Sequence, residues 1–539
     1  LAHGPRDVRV VPAGLAIAVL THTLTLILSL IFAVVVLTTA AQQLRVPYPS
    51  LLALGGLVMA LVPGLPRLDL SPELFLIVFL PPLLFGAGWR ISWGDFVQQL
   101  RPIAVLAVGL VVVTTVGVGF ATHGLDSSIP LGAALVLGAI VSPTDPLAAG
   151  AVARQVRLPR QLIVVLEGES LANDATGLVV YRLALGAVAT GHFSVVGGIY
   201  TFLVVTAGGV VTGLAVGVIS VLLQRRVADP PGQFALQLLT SYVAYLPAER
   251  LGFSGVFAAA AAGLFCGYHL SYASGARSRL EAVAVWDTLD FLLNAVLFLI
   301  LGLQLPVVLA EAGHQDVARL TLTGLAISLL AMGLRMAWVL AGELLAHVRS
   351  AASASPSSWR VLTLLGWSGM RGVLSLATAL AVPRTLPSGA PFPGRAAILF
   401  YAFSVIVVTL VIQGLPLPLV IRWLRIPRDT LREHVESQVR ARLARAALDH
   451  LDQLGAEVDE LTRELAQDFR APYERLVRHG GGESEEGAAG RRQLETSRIR
   501  RSLAQAQRRE LLSLYRRRLV DDETFRRIER EIDLEEQAQ

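Results

Sequence analysis

Apolar runs separated by short loops that carry arginines fill the chain as far as about residue 425. A membrane-crossing helix needs roughly 20 predominantly apolar residues. About thirteen stretches meet that need: 15–39, 50–65, 73–89, 102–122, 131–152, 160–187, 193–224, 233–251, 253–271, 284–307, 317–346, 359–383 and 395–422. The eighth is the most polar, with Gln233, Gln237, Glu249 and Arg250. The first is too long and too uniformly apolar for a signal-peptide core, so it reads as a true span. The chain starts at Leu1, which reads as a trimmed N-terminus. Near Arg428 the pattern stops, and residues 430–539 are charged and polar. Residues 440–478 and 491–518 read as helices joined by the flexible, glycine-rich stretch 480–490. Asp521-Asp-Glu-Thr524 reads as a turn and N-cap for a last short helix. The fold class expected is therefore an all-α polytopic membrane protein with a helical tail. That tail reads first as a solvated appendage, with regulation or self-association as the alternative.

The arginines orient this arrangement. Loops after odd-numbered runs hold Arg45, Arg90, Arg101, Arg154, Arg157, Arg160, Arg225, Arg226, Arg277, Arg279, Arg349 and Arg360. Loops after even-numbered runs hold only Arg67, Arg250, Arg319, Arg384 and Arg395. The positive-inside rule makes the first set cytoplasmic. Residues 1–14 are then extracellular, and the tail 430–539 lies in the cytoplasm behind a plasma (inner) membrane. An odd number of spans agrees with that split and supports the eighth.

Composition narrows the functions. The chain is 54% hydrophobic and 16% charged, as expected of a lipid-embedded protein. It has no lysine, so all 46 basic residues are arginine. That removes a phosphate-binding loop of the G-x-x-x-x-G-K-[ST] type and any Schiff-base lysine. The net charge of +5 follows from the loop arginines and does not call for nucleic acid. Cys266, the single cysteine, lies in an apolar run and reads as helix packing. The histidines of the membrane part fall mostly at run ends or in loops, without metal-ligand spacing.

Two runs are interrupted by polar residues. The fifth contains Val141-Ser-Pro-Thr-Asp-Pro146. Its prolines remove backbone donors and disfavour helix just before each, so Thr144 and Asp145 sit at a break. A helix broken inside a membrane normally lines a cavity and offers freed carbonyls to an ion. The sixth run holds Glu167-Gly-Glu-Ser-Leu-Ala-Asn-Asp174. A charged side chain at mid-bilayer costs at least about 2.5–3.5 kcal/mol, so these acids must face protein or water.

Helix geometry separates those acids. Ser170 and Asp174 are i,i+4 and share a face. Glu167 lies near that face, roughly 10 Å toward the cytoplasm. Glu169 points about 140° away from Asp174, which suits a structural ion pair with an arginine. Arg335 and Arg371 are the intramembrane candidates, and each needs an internal acidic partner. Gly366-Trp-Ser-Gly-Met-Arg-Gly-Val373 suggests a second irregular span. Interrupted helices in both halves are the mark of an inverted-repeat transporter.

Ser142-Pro-Thr-Asp-Pro146, Glu167 to Asp174, Arg335 and Gly369-Met-Arg-Gly372 together resemble the monovalent cation/proton antiporters of the NhaP and sodium/proton-exchanger type. Leu80-Pro-Pro-Leu-Leu84 and Trp286-Asp-Thr-Leu289 look like family segments too, and the tail looks like the bacterial branch. The resemblance covers about residues 15–425. It implies a homodimer of thirteen-span subunits without a cofactor and without enzymatic activity. Helices 1–3 (15–89) and 8–10 (233–307) would form a dimerisation domain. Helices 4–6 (102–187) and 11–13 (317–422) would form an ion-transporting core, with helix 7 (193–224) linking them. It implies that Asp174 binds a proton and a cation alternately, Na+ first and K+ or Li+ next. Ser170 and the Thr144 region would complete the coordination. Asn173 would organise the site, and Glu169 would pair with Arg335. The Asn173-Asp174 pair implies electroneutral exchange, in the service of pH homeostasis. One departure stands out: Gly86 occupies a position that is often acidic in the family. This leaves Asp145 as the candidate partner of Arg371.

A cation channel or an organic-substrate/proton transporter are the other classes. A channel would need a filter-like run of carbonyls, and an organic substrate would favour an aromatic-lined cavity. Aromatic residues are only 7% of this chain, and its intramembrane motifs are acidic.

Overall fold

The computed structural model describes residues 13–62, 72–145, 159–426 and 430–457, apart from 193, 228, 274–275, 314 and 350–358, with scattered positions between 470 and 528. Residues 1–12, Pro146 to Leu158, the glycine-rich linker and most of the tail helices expected above lie outside the described residues. The described residues are almost entirely helical, and their one β feature is an isolated bridge between Thr385 and Pro391.

The apolar runs fold as α1 (Ala13–Leu44), α2 (Tyr48–Ala60), α3 (Pro72–Arg90), α4 (Val111–Leu125), α5 (Leu131–Val141) and α6 (Arg160–Thr190). There follow α7 (Val195–Gln224), α8 (Pro230–Arg250), α9 (Gly255–Ala273), α10 (Ala276–Leu303) and α11 (Val317–Arg349). The twelfth run is two helices, α12 (Trp359–Trp367) and α13 (Val373–Leu380), and the thirteenth begins as α14 (Arg395–Thr409) and ends as α15 (Leu417–Leu424). A π-helical turn, Val105–Leu110, leads into α4, and another, Leu410–Gly414, follows α14. Among the described residues, five helical stretches are long and apolar enough to cross a membrane, and five shorter ones are apolar. The outward side of α7 is apolar, with Val196 79% and Val211 66% exposed. Such a face suits lipid rather than water.

The closest helix pairs fall into two sets. In one, α3, α7 and α8 pack on α9, and α2 packs on α10. In the other, α4 packs on α5 and α11, α5 on α6, and α11 and α13 on α14. Glycine makes the α3–α9 seam close. Gly263 and Gly267 lie directly on the backbone of Phe85 and Trp89, leaving no room for a Cβ.

The polar residues of α8 are spent inside the protein. Buried Gln237 and Thr240 join a hydrogen-bonded chain with Ser220 and Gln224 of α7. Glu249 accepts from the Gly255 N–H at the start of α9 and from Arg182. Cys266 is buried against α7. The tail is a separate unit beginning at Asp429, and its described helix is α16 (Thr430–Glu457).

Candidate functional site

Both interrupted segments are real breaks, and they meet. Helix α5 ends at Val141, and residues 143–145 are non-helical. Between α12 and α13, residues 369–372 are non-helical as well. The Asp145 N–H donates to the Met370 carbonyl at 2.7 Å, and Gly372 lies against the Asp145 side chain so closely that a Cβ would overlap it. Pro143 presses on Gly177 of α6, so the glycine lets α6 pass close to the crossing.

Arg371 is buried at this crossing. Its Nε donates to the Val141 carbonyl at 2.9 Å, its Nη1 donates to the Gly369 carbonyl, and its own N–H donates to Thr409 Oγ1 at 3.2 Å. The last carbonyls of a helix lack intrahelical partners and carry the negative end of the helix dipole. A guanidinium placed there is compensated by main chain, a solution that a search for acidic side chains overlooks. Asp145, the acidic partner expected from the sequence, meets the same segment through its N–H on the Met370 carbonyl and through its side chain against Gly372.

Beside this crossing lies a buried hydrogen-bonded network. Glu169 and Arg335 are each 1% exposed and form a two-pronged pair, with Nη1 on Oε1 and Nη2 on Oε2 at 2.9 Å. Arg335 also donates to the Leu365 carbonyl through Nε at 3.2 Å and Nη2 at 3.1 Å. Gly369 makes room for the arginine, because a Cβ there would strike its Cδ. Thr144 Oγ1 donates to Glu169 Oε1 at 2.8 Å, and accepts from Asn173 Nδ2 at 2.9 Å and Arg335 Nη1 at 3.2 Å. A hydroxyl has one proton and two lone pairs, so this one is fully used. The Thr144 side chain, expected among a cation's ligands, therefore belongs to the network and offers the cation no lone pair. Asn173 ties α6 to the α5 break, and its Oδ1 is buried without a hydrogen-bond partner.

Asp174 faces the other way. With Ser170, Glu167, Asp145 and Thr144 it lines a cavity of about 160 Å³. The lining also includes residues of α3, α10 and α13, among them Arg90, Asp290, Asn294 and Ser375. The cavity thus holds the i,i+4 pair Ser170 and Asp174, while Glu169 is absent from its lining. Arg90, Asp290 and Asn294 carried no functional expectation from sequence. Arg90 stands at a helix end, where the charge rule explains it. The available signal was the spacing of Asp290 and Asn294, two polar residues one turn apart in an apolar run.

Gly86 is explained by its neighbour. The ring of Trp286 comes within 3.0 Å of where a Cβ would stand. The indole fills the space that a side chain at residue 86 would take.

Comparison with known proteins adds the following. Residues 28–423 match the family model described as sodium/hydrogen exchanger, transmembrane. An uncharacterized Na(+)/H(+) exchanger of Mycobacterium tuberculosis is 36% identical over 530 residues, which cover 96% of this chain and 96% of that protein. A sodium, potassium, lithium and rubidium/H(+) antiporter of Bacillus pumilus is 34% identical over 453 residues, 80% of this chain and 66% of that one. Among solved structures, the sodium proton antiporter MjNhaP1 of Methanocaldococcus jannaschii superposes with a TM-score of 0.59 at 22% identity, covering 75% of this chain and 99% of that chain.

Proposed function

The chain belongs to the sodium/hydrogen exchanger family, and from that premise we propose that it exchanges a monovalent cation for a proton at Asp174. The observation that carries this reading is the division of the α6 acids. Glu169 is neutralised by Arg335, whereas Asp174 lines a cavity large enough for a partly hydrated ion. A carboxylate that serves one site can hold H+ or M+, each of charge +1, so neither loaded state leaves the site uncompensated. Ser170 Oγ one turn away and the main-chain carbonyl of Thr144 complete the coordination, and Asn173 fixes the α5 break against α6. Asp145 and Glu167 also line the cavity, with Glu167 on the cytoplasmic approach.

The crossed breaks support a moving core. A main-chain hydrogen bond joins the two interrupted segments to each other, so they would travel together. Helices α4–α6 and α11–α14 would rock against α1–α3 and α8–α10, exposing Asp174 to each side in turn. In this reading the subunit has thirteen membrane helices, its N-terminus outside and its tail in the cytoplasm. Two subunits pair through α1–α3 and α8–α10. Exchange is electroneutral, with Na+ the first cation and K+ or Li+ the alternatives, and no cofactor takes part.

The test is a pH-dye assay in proteoliposomes with Na+, K+ and Li+ in turn. Wild type should dissipate an imposed pH gradient on cation addition, and Asp174→Asn should not. Full cation-driven proton flux in Asp174→Asn would refute the assignment.

A further inference from the structure

The cavity has lining residues with no part in the exchange reading. Arg90, the last residue of α3, and Asp290 of α10 both line it, with Nη2 and Oδ1 3.2 Å apart. Their side chains are 25% and 15% exposed. Asn294 Nδ2 donates to Asp290 Oδ1 at 3.2 Å and so fixes the carboxylate. Arg90 Nη1 is buried and makes no hydrogen bond, so the guanidinium is only partly committed to its partner.

The surroundings hold this charge in place. Trp286 packs on Gly86, one turn before Arg90, and stacks against Phe85 and Trp89 with centroids 5.4 and 6.4 Å away. The indole Nε1 donates to Gln237 Oε1 at 2.7 Å, and Gln237 Nε2 donates to Gln224 Oε1 at 3.0 Å. A buried chain of hydrogen bonds thus anchors the ring that backs the end of α3. The same cavity is lined by Asp145, Glu167 and Asp174.

A cation that reaches Asp174 through this cavity passes a fixed positive charge. We propose that Arg90 is an affinity-setting counter-charge, which holds down the cavity's affinity for monovalent cations, and that Asp290 sets how much of that charge is felt. The proposal rests on the exchange reading. In a low-dielectric cavity, unit charges act on each other over several ångströms with enough energy to change affinity severalfold.

The sign pattern is the test. Cation KM and maximal rate are measured at one fixed pH in proteoliposomes, with Na+ as the probe. Arg90→Gln leaves Asp290 unneutralised and should lower KM by about three- to tenfold. Asp290→Asn leaves Arg90 unneutralised and should raise KM by a similar factor. The double variant and Arg90→Lys should return close to wild type, and maximal rates should change little. The same order is expected for the Na+ concentration that gives half the cation-dependent rise in melting temperature in detergent, which needs no flux. A purely structural pair would give single variants that shift in the same direction, or an Arg90→Lys as damaged as Arg90→Gln, and either result overturns the proposal. Failure of the exchange reading shows separately, as absence of cation-driven flux in wild type or its persistence in Asp174→Asn.

Discussion

Glu169 and Asp174 lie five residues apart on one helix and live in opposite conditions. Glu169 is buried at 1% exposure, with both oxygens on Arg335 and one shared with Thr144. Asp174 lines a cavity beside other acids. A buried ion pair with its remaining bonds filled holds a structure together, and removing one partner strands the other. A carboxylate at a cavity has capacity left for a ligand. The difference follows from helical spacing, which sends residues five apart to different sides of α6. One short segment therefore supplies both a buried anchor and, in the proposed reading, the ion-carrying group.

Four substitutions probe this contrast. The largest effect is on transport. Asp174→Asn should abolish cation-driven proton movement in proteoliposomes and leave thermal melting close to wild type. Next is Glu169→Ala, which leaves Arg335 buried without its carboxylate and should cost about 3–5 kcal/mol, read from denaturation in detergent. Flux per folded molecule should survive at a reduced level. Asn173→Ala removes the bonds from Nδ2 to Thr144 and should cost about 1–2 kcal/mol, measured in the same way. The smallest stability effect is expected for Ser170→Ala, within about 0.5 kcal/mol. It should still raise cation KM about threefold, because Ser170 lies on the cavity side. A Ser170→Ala variant that unfolds while keeping its KM would erase the contrast between the two faces.

How far the sequence reaches depends on whether a feature is local. Helix positions followed from apolar run length, and the two faces of α6 followed from residue spacing, since neither needs knowledge of the partner. The break at Ser142–Asp145 could be read from its prolines. Its crossing with Gly369–Gly372 could not, because the bond from Asp145 to Met370 joins segments far apart in the chain. The same limit hid the true surroundings of Arg371. Reasoning from charge asks for an acid, whereas the fold also supplies the Val141 carbonyl at the end of α5 and the Gly369 carbonyl. Thr144 was placed at the right break, but its hydroxyl's partners come from α6 and α11, so sequence could not show that it is fully bonded. Gly86 stood out as a missing acid, and only packing reveals the Trp286 ring in its place.

The central claim is that cation binding belongs to Asp174 and not to Glu169. The most direct measurement is the cation-dependent shift in melting temperature of the purified protein, compared among wild type, Asp174→Asn and Glu169→Gln. The account predicts that Na+ stabilises wild type and leaves Asp174→Asn unmoved. It predicts that Glu169→Gln melts lower in the absence of Na+ and still gains stability when Na+ is added. A Glu169→Gln protein with wild-type melting and no response to Na+, beside an Asp174→Asn protein that still responds, would contradict it.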